Sequence, residues 1–152
     1  MKKIASFTVD HRILEKGVYI SRVDGDIVTY DLRMRKPNTD DLISNSAAHS
    51  LEHMFATVIR NSAHSDKVIY FGPMGCQTGF YLLLRSDNHA ENLELIKETL
   101  GKIIAYDGEM PGNSEIECGN YKTLSMPEAK KEAKAYLEVI KNLTTKDLYY
   151  KG

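Results

Sequence analysis

Ser46-Ala47-Ala48-His49-Ser50-Leu51-Glu52-His53-Met54-Phe55-Ala56-Thr57-Val58 is the stretch on which the reading of this chain turns. Apolar residues at three- and four-residue spacing frame its ionisable ones, which predicts an α-helix largely buried along its length. Four residues of α-helix turn through about 400° and rise about 6 Å, so His49 and His53 stack on one face and can share a metal ion. Glu52 lies about 100° round the axis from His53 and flanks that clamp, placed to handle protons without filling a coordination position. Two imidazoles and a carboxylate could also meet there through packing alone. A largely apolar helix, however, carries three ionisable groups at a cost that a bound metal would offset.

Before this helix, Val18-Tyr19-Ile20-Ser21-Arg22-Val23 and Asp26-Ile27-Val28-Thr29-Tyr30-Asp31-Leu32-Arg33 are rich in β-branched and aromatic residues. The Asp24-Gly25 pair between them signals a two-residue turn, and together they predict an antiparallel hairpin. Turn formers at 36–41 end it, after which Ser44 or Ser46 offers an N-cap for the histidine helix. That helix is expected to stop near 60–64.

After it, Val68-Ile69-Tyr70-Phe71 and Phe80-Tyr81-Leu82-Leu83-Leu84-Arg85 predict strands on either side of Gly72-Pro73-Met74-Gly75-Cys76-Gln77-Thr78-Gly79. Glycines let backbone approach a ligand closely, so the Cys76 thiol is expected to face a pocket, where a catalytic role is open to it. Leu93, Ile96, Leu100, Ile103 and Ile104 fall at helical spacing within 87–106. His64 and His89 read as solvated or capping residues without a metal role. A loop at 107–119 leads to Ser125-Met126-Pro127-Glu128, a capping-box pattern with proline in the first turn. In the helix that follows, Ala129, Ala133, Tyr136, Leu137 and Ile140 make the apolar face, and Lys130, Lys131, Glu132 and Lys134 the solvated one. Residues 147–152 are expected to fray, with Tyr149 and Tyr150 able to dock.

The 152 residues, 42% of them hydrophobic, suit a single domain with a proper core. A net charge of -1 with both signs mixed along the chain gives no footprint for nucleic acid or an anionic membrane. No apolar run is long enough for a signal peptide or a membrane span, so a cytoplasmic protein is expected. Only Cys76 and Cys118 are present, without C-x-x-C spacing, and a structural disulfide is not expected in that compartment.

The order His-x-x-Glu-His is that of the inverzincin metallopeptidases, but a chain of this size has no room for their enclosing chamber. Two histidines leave a zinc-like ion short of ligands. Cys118 is the leading third donor, giving a thiolate and two imidazoles suited to Zn²⁺ and able to hold Fe²⁺ or Co²⁺. Glu115 and Glu117 compete with it. Small-molecule chemistry, with a thiol moving protons beside a metal-polarised carbonyl, fits these groups best. The alternatives are a small zinc hydrolase using Glu52 to activate water, and a metal-stabilised binding domain without turnover.

Three segments resemble the S-ribosylhomocysteine lyase (LuxS) family: Ser6-Phe7-Thr8-Val9-Asp10-His11, His49-Ser50-Leu51-Glu52-His53 and Pro73-Met74-Gly75-Cys76-Gln77-Thr78-Gly79. Asp31-Leu32-Arg33 with Pro37-Asn38, and Glu117-Cys118-Gly119, extend the likeness over nearly the whole chain. The resemblance implies an α+β fold, an antiparallel sheet packed against helices in one compact domain over 1–152. It implies a homodimer with its active sites at the interface. It implies one Fe²⁺ per subunit, replaceable by Zn²⁺ or Co²⁺, held by His49, His53 and Cys118, with Cys76 and Glu52 as the acid-base pair. Ser6, His11 and Arg33 match positions that bind substrate. The implied reaction cleaves S-ribosylhomocysteine to homocysteine and 4,5-dihydroxy-2,3-pentanedione, the autoinducer-2 precursor of quorum sensing. The chain departs from the usual pattern at Ser50, where threonine is usual, at Arg35, often cysteine, and at Tyr70-Phe71-Gly72, more usually Asp-Ile-Ser.

Overall fold

The computed structural model describes residues 1–151. Strands β1 (Gly17–Asp24) and β2 (Ile27–Arg33) form the expected hairpin, Gly17 opposite Arg33 and Asp24 opposite Ile27. The turn residues are therefore Gly25 and Asp26, one place later than the sequence signal, with Asp24 kept in the strand. Gly25 has φ 60°, and a positive φ at the first turn position matches the right-handed twist of the strands it joins.

Strands β3 (Val68–Pro73) and β4 (Gly79–Leu84) make a second hairpin, and β4 also pairs with β2. The resulting four-stranded sheet runs β1-β2-β4-β3 with every pair antiparallel. Three helices complete the α+β fold: α1 (Asn45–Arg60), α2 (His89–Ala105) and α3 (Met126–Ile140). Period-two alternation sends Val28, Tyr30 and Leu32 of β2 and Phe80, Leu82 and Leu84 of β4 into one core with the helices. Helix α1 contributes Leu51, Met54, Phe55 and Ile59. Phe55, Phe71 and Phe80 stack in series with ring centroids 4.1 and 4.8 Å apart, each pair adding about 0.5–1.5 kcal/mol beyond its buried area.

The same alternation turns Asp31, Arg33, Tyr81 and Leu83 to the opposite face of the sheet. Residues 4–6, at the start of the 3-10 turn Ala5–Phe7, border an open depression there with Thr29, Tyr70, Tyr81 and Leu83.

Three expectations need correction, and the choice between two N-caps is decided. Ser44, not Ser46, caps α1, accepting the Ala47 N–H at 3.1 Å; the Ser46 hydroxyl is engaged elsewhere. Asn88 caps α2, so His89 is its first helical residue, and its Nδ1 lies 2.5 Å from the buried Tyr30 hydroxyl, to which it is hydrogen-bonded. His89 is thus neither a cap nor simply solvated. Glu132 is 6% exposed, because Arg35 at the end of β2 brings its guanidinium within 2.6 Å of Oε1. The closing segment is docked as far as Tyr150: the Leu148 carbonyl accepts the Ile20 N–H at 2.7 Å, and Tyr150 stacks on Tyr19 with centroids 4.9 Å apart. Gly152 lies outside the described residues.

Candidate active site

Helix α1 carries a polar stripe, Ser46, His49, Ser50 and His53, that grips the segment leading into α3. The Ser46 hydroxyl donates to the Thr123 carbonyl at 2.7 Å. Buried Ser50 donates to the Ser46 carbonyl at 2.6 Å and accepts the Ser125 N–H at 2.7 Å. A hydroxyl at position 50, whether serine or threonine, serves that second bond. These contacts bring the Thr123 side chain over His49.

The His49 Nδ1–H donates to Thr123 Oγ1 at 2.6 Å, and that hydroxyl donates onward to the Asn120 carbonyl at 3.0 Å. Because the hydroxyl hydrogen is committed to Asn120, His49 must be the donor, and its proton sits on Nδ1. His53 donates Nδ1–H to the Pro111 carbonyl at 2.8 Å. Both imidazoles therefore keep an Nε2 lone pair free, the tautomer a metal ligand needs. His49 Nε2 lies 3.3 Å from Cys118 Sγ, close to the edge of about 3.5 Å that nitrogen and sulfur span in a tetrahedral zinc site. Burial, and next the neighbouring His53, hold the His49 imidazole below its usual pKa, which favours the neutral, ligating form.

Ligand atoms of His49, His53 and Cys118 all lie within 4.8 Å of one another. They are the one such group of histidine, cysteine and carboxylate side chains among the described residues. Neither competing carboxylate, Glu115 or Glu117, belongs to that group. The Ser114 carbonyl accepts both the Glu117 and Cys118 N–H groups, making a tight turn, and Ser114 Oγ donates to Glu117 Oε1 at 2.6 Å. Cys118 Sγ in turn accepts the Asn120 N–H at 3.4 Å, a bond that suits a thiolate. Two imidazoles of fixed tautomer and one amide-supported sulfur fit a divalent ion of borderline softness.

Sequence reasoning missed three residues that orient this trio: Thr123, Pro111 and Gly112. Gly112 has φ 69°, and a Cβ there would stand 2.9 Å from His53 Nδ1, so the loop closes on the ring only because position 112 lacks a side chain. The Pro111-Gly112 turn signal was visible, but nothing local to it points to His53.

Glu52 is half-buried and forms the wall between two openings. One, of about 260 Å³, runs from His49 and Glu52 to Pro73, Met74, Gly75 and Gln77 of the cysteine loop. The other, of about 330 Å³, runs along His53, Thr57, Arg60, Tyr70 and Gly112. Cys76 is exposed, but it lines neither opening, so the pocket it was expected to face does not include it; its sulfur lies 2.9 Å from the Thr78 hydroxyl. Its neighbours Gly75 and Gln77 line the first opening, with Gln77 held at φ 64°.

Arg33 is 3% exposed, paired bidentately with Asp31 at 2.7 and 3.1 Å and donating Nη1–H to Thr78 Oγ1 at 2.8 Å. Ser6 borders the depression on the open face of the sheet, and half-buried His11 has Nδ1 2.8 Å from the Val9 carbonyl. Neither lines the openings beside Glu52.

The sequence profile of the S-ribosylhomocysteinase (LuxS) family matches residues 4–147 of this chain. A protein named S-ribosylhomocysteine lyase in Desulfotalea psychrophila is 45% identical over 157 residues, covering 99% of both chains. Proteins of the same name in Phocaeicola vulgatus and Borreliella burgdorferi are 45% and 41% identical. Each covers 99% of this chain, and the matches span 98% and 99% of those relatives respectively.

Proposed function

The chain belongs to the S-ribosylhomocysteinase (LuxS) family, and from that membership we propose that it is a metal-dependent carbon–sulfur lyase acting on S-ribosylhomocysteine. The products are homocysteine and 4,5-dihydroxy-2,3-pentanedione. The observation that carries the reading is the convergence of His49, His53 and Cys118 directly beside Glu52.

The bound divalent ion supplies Lewis-acid polarisation of the sugar oxygens. His49, His53 and Cys118 are the residues to hold it. Fe²⁺ is the natural ion in this reading, with Zn²⁺ or Co²⁺ as substitutes that the same donor set accepts.

Cys76 and Glu52 then move the protons. Cys76 takes the proton from C2 of the open-chain sugar and returns it to C1, carrying the carbonyl from C1 to C2. A second transfer, from C3 to C2, carries the carbonyl to C3. The C4 proton is now acidic; its removal breaks the C5–S bond, homocysteine leaves as a thiolate that takes up a proton, and the enol left behind ketonises to the diketone. Glu52 relays protons among the oxygens and assists the elimination, a role its place between the two openings supports.

The active enzyme in this reading is a homodimer. The exposed apolar groups Ile4, Phe7 and Tyr70 around the open sheet face favour contact with a second copy, which would bring Ser6 and His11 toward a neighbouring site. Arg33 joins them as a substrate-binding residue: three of its five N–H donors are engaged with Asp31 and Thr78, leaving two for ligand. No described helix is long and apolar enough to cross a membrane, and we place the enzyme in the cytoplasm.

The test is purified protein with S-ribosylhomocysteine, following release of free thiol with and without chelator. Thiol release that chelation abolishes supports the proposal; no thiol release from metal-replete protein sinks it.

A further inference from the structure

The Cys76 sulfur stands at one end of a continuous hydrogen-bonded series that ends on the last helix's trailing segment. Cys76 Sγ lies 2.9 Å from Thr78 Oγ1, which accepts Arg33 Nη1–H at 2.8 Å. Arg33 Nη2 donates to Asp31 Oδ2 at 2.7 Å and Nε to Oδ1 at 3.1 Å. Tyr150 O–H donates to the same Asp31 Oδ2 at 2.6 Å. Thr78, Arg33 and Asp31 are 1–3% exposed, so water does not compete for the bonds among these three.

Direction matters here. A guanidinium has no lone pair to offer, so the Thr78 oxygen must accept from Arg33 and its own O–H is free to donate to sulfur. An O–H polarised by a cation behind it is a stronger donor, and it favours the thiolate. Asp31 works against this by drawing on the Arg33 charge. Tyr150 shares the burden of Asp31: its donated hydrogen bond takes up part of the carboxylate's charge and leaves more of the Arg33 charge to act on Thr78. Burial, and next the Asp31 charge, hold the Tyr150 phenol well above its usual pKa, so it remains a donor at any working pH.

We propose that Tyr150 is a positioning residue for the thiol, setting the nucleophilic reactivity of Cys76 through Asp31, Arg33 and Thr78. The inference deepens the role assigned above to Cys76, but its readout does not depend on turnover.

The experiment is alkylation of Cys76 by iodoacetamide at pH 7 in metal-loaded protein, followed by peptide mass spectrometry so that Cys118 is scored separately. Tyr150→Phe keeps the ring on Tyr19 and removes only the hydroxyl. The Cys76 alkylation rate is expected to fall roughly threefold while Cys118 labelling and metal content stay unchanged. Thr78→Val should slow it further and Thr78→Ser should restore it. A Tyr150→Phe protein that alkylates at the parent rate, or faster, overturns the proposal. So does an equal slowing at both cysteines, which would mark a general change in structure. Loss of lyase activity with parent-like alkylation would overturn this inference while leaving the assigned chemistry of Cys76, tested separately by Cys76→Ala, untouched.

Discussion

Replacing Gly112 by alanine tests whether the metal trio is aligned by its surroundings and not by the helix alone. Position 112 has φ 69°, a left-handed conformation that costs a residue with a Cβ about 1–2 kcal/mol. For a chain of this size that lowers the melting midpoint by about 3–6 °C. The larger effect should fall on the metal. The new methyl would stand 2.9 Å from His53 Nδ1 and 3.0 Å from Cε1, closer than carbon can approach, so ring or loop must retreat and the 2.8 Å bond to the Pro111 carbonyl is strained. Loss of such a supporting bond weakens metal affinity about 10- to 100-fold. Competition against a chromogenic chelator for Zn²⁺ or Co²⁺ measures it. Gly119→Ala is the control: although it adjoins Cys118, a Cβ there meets nothing within 4 Å and the backbone needs no left-handed turn. Parent-like affinity in Gly112→Ala, or an equal loss in Gly119→Ala, would refute the reasoning.

Cys76→Ala should keep full metal content and lose thiol release from S-ribosylhomocysteine, whereas His49→Ala or Cys118→Ala should lose the metal itself, as metal analysis of the purified variants would record. Thr123→Val removes the His49 acceptor at constant volume and should weaken chelator-competed metal binding about tenfold. Arg35→Met leaves the buried Glu132 carboxylate without its partner and should cost about 3–5 kcal/mol in urea unfolding, while Arg35→Met with Glu132→Leu should recover most of it; an unchanged single variant would discount the ion pair. Alkaline titration gives the last: Tyr136 and Tyr150 are both raised in the folded protein, chiefly by burial. Their folded form holds a proton that the unfolded chain releases near pH 10, so stability is fully present below about pH 10 and declines above it. Tyr150→Phe should flatten that decline in thermal melts taken from pH 9 upward.

What was legible in the sequence is what depends on a residue's near neighbours. The 3.6-residue spacing gave α1, and the histidines one turn apart gave two candidate metal donors, because both readings are internal to one helix. Cys118 could not be separated from Glu115 and Glu117 by spacing, since the choice is made by the Ser114 carbonyl capturing two successive N–H groups and turning the sulfur inward. Glu132 was misread for a related reason: its lysine-rich surroundings have the pattern of a solvated face, and the cation that buries it lies 97 positions away. Docking of Tyr150 was allowed for, but its partner Asp31, 119 positions distant, could not be named from spacing. Gly112 shows only a turn signal and Thr123 none, and neither points to a histidine, because an absent side chain or a hydroxyl becomes functional only against the ring it meets.

This division has a consequence for how the site responds to change. Leu51, Met54, Phe55 and Ile59 are at most 1% exposed, so α1 cannot rotate without opening the core, and the Cα positions of His49 and His53 are fixed whether or not metal is bound. The loop at 111–123 lies between core-packed Met110 and Leu124 but has no buried residue of its own; it is held to α1 through Ser46 and the two imidazoles, with Ser50 fixing Ser125 beyond it. A metal held by His49, His53 and Cys118 would therefore join a rigid helix to a dependent loop. Its removal should leave the core intact and lower stability only by the linkage amount set by its affinity and free concentration, with the loosening confined to the loop. Amide exchange on the chelated protein would read this directly: protection retained in α1 and the sheet, and lost at residues 112–123. Protection lost equally across α1 would mean that the helix, too, owes its place to the ion.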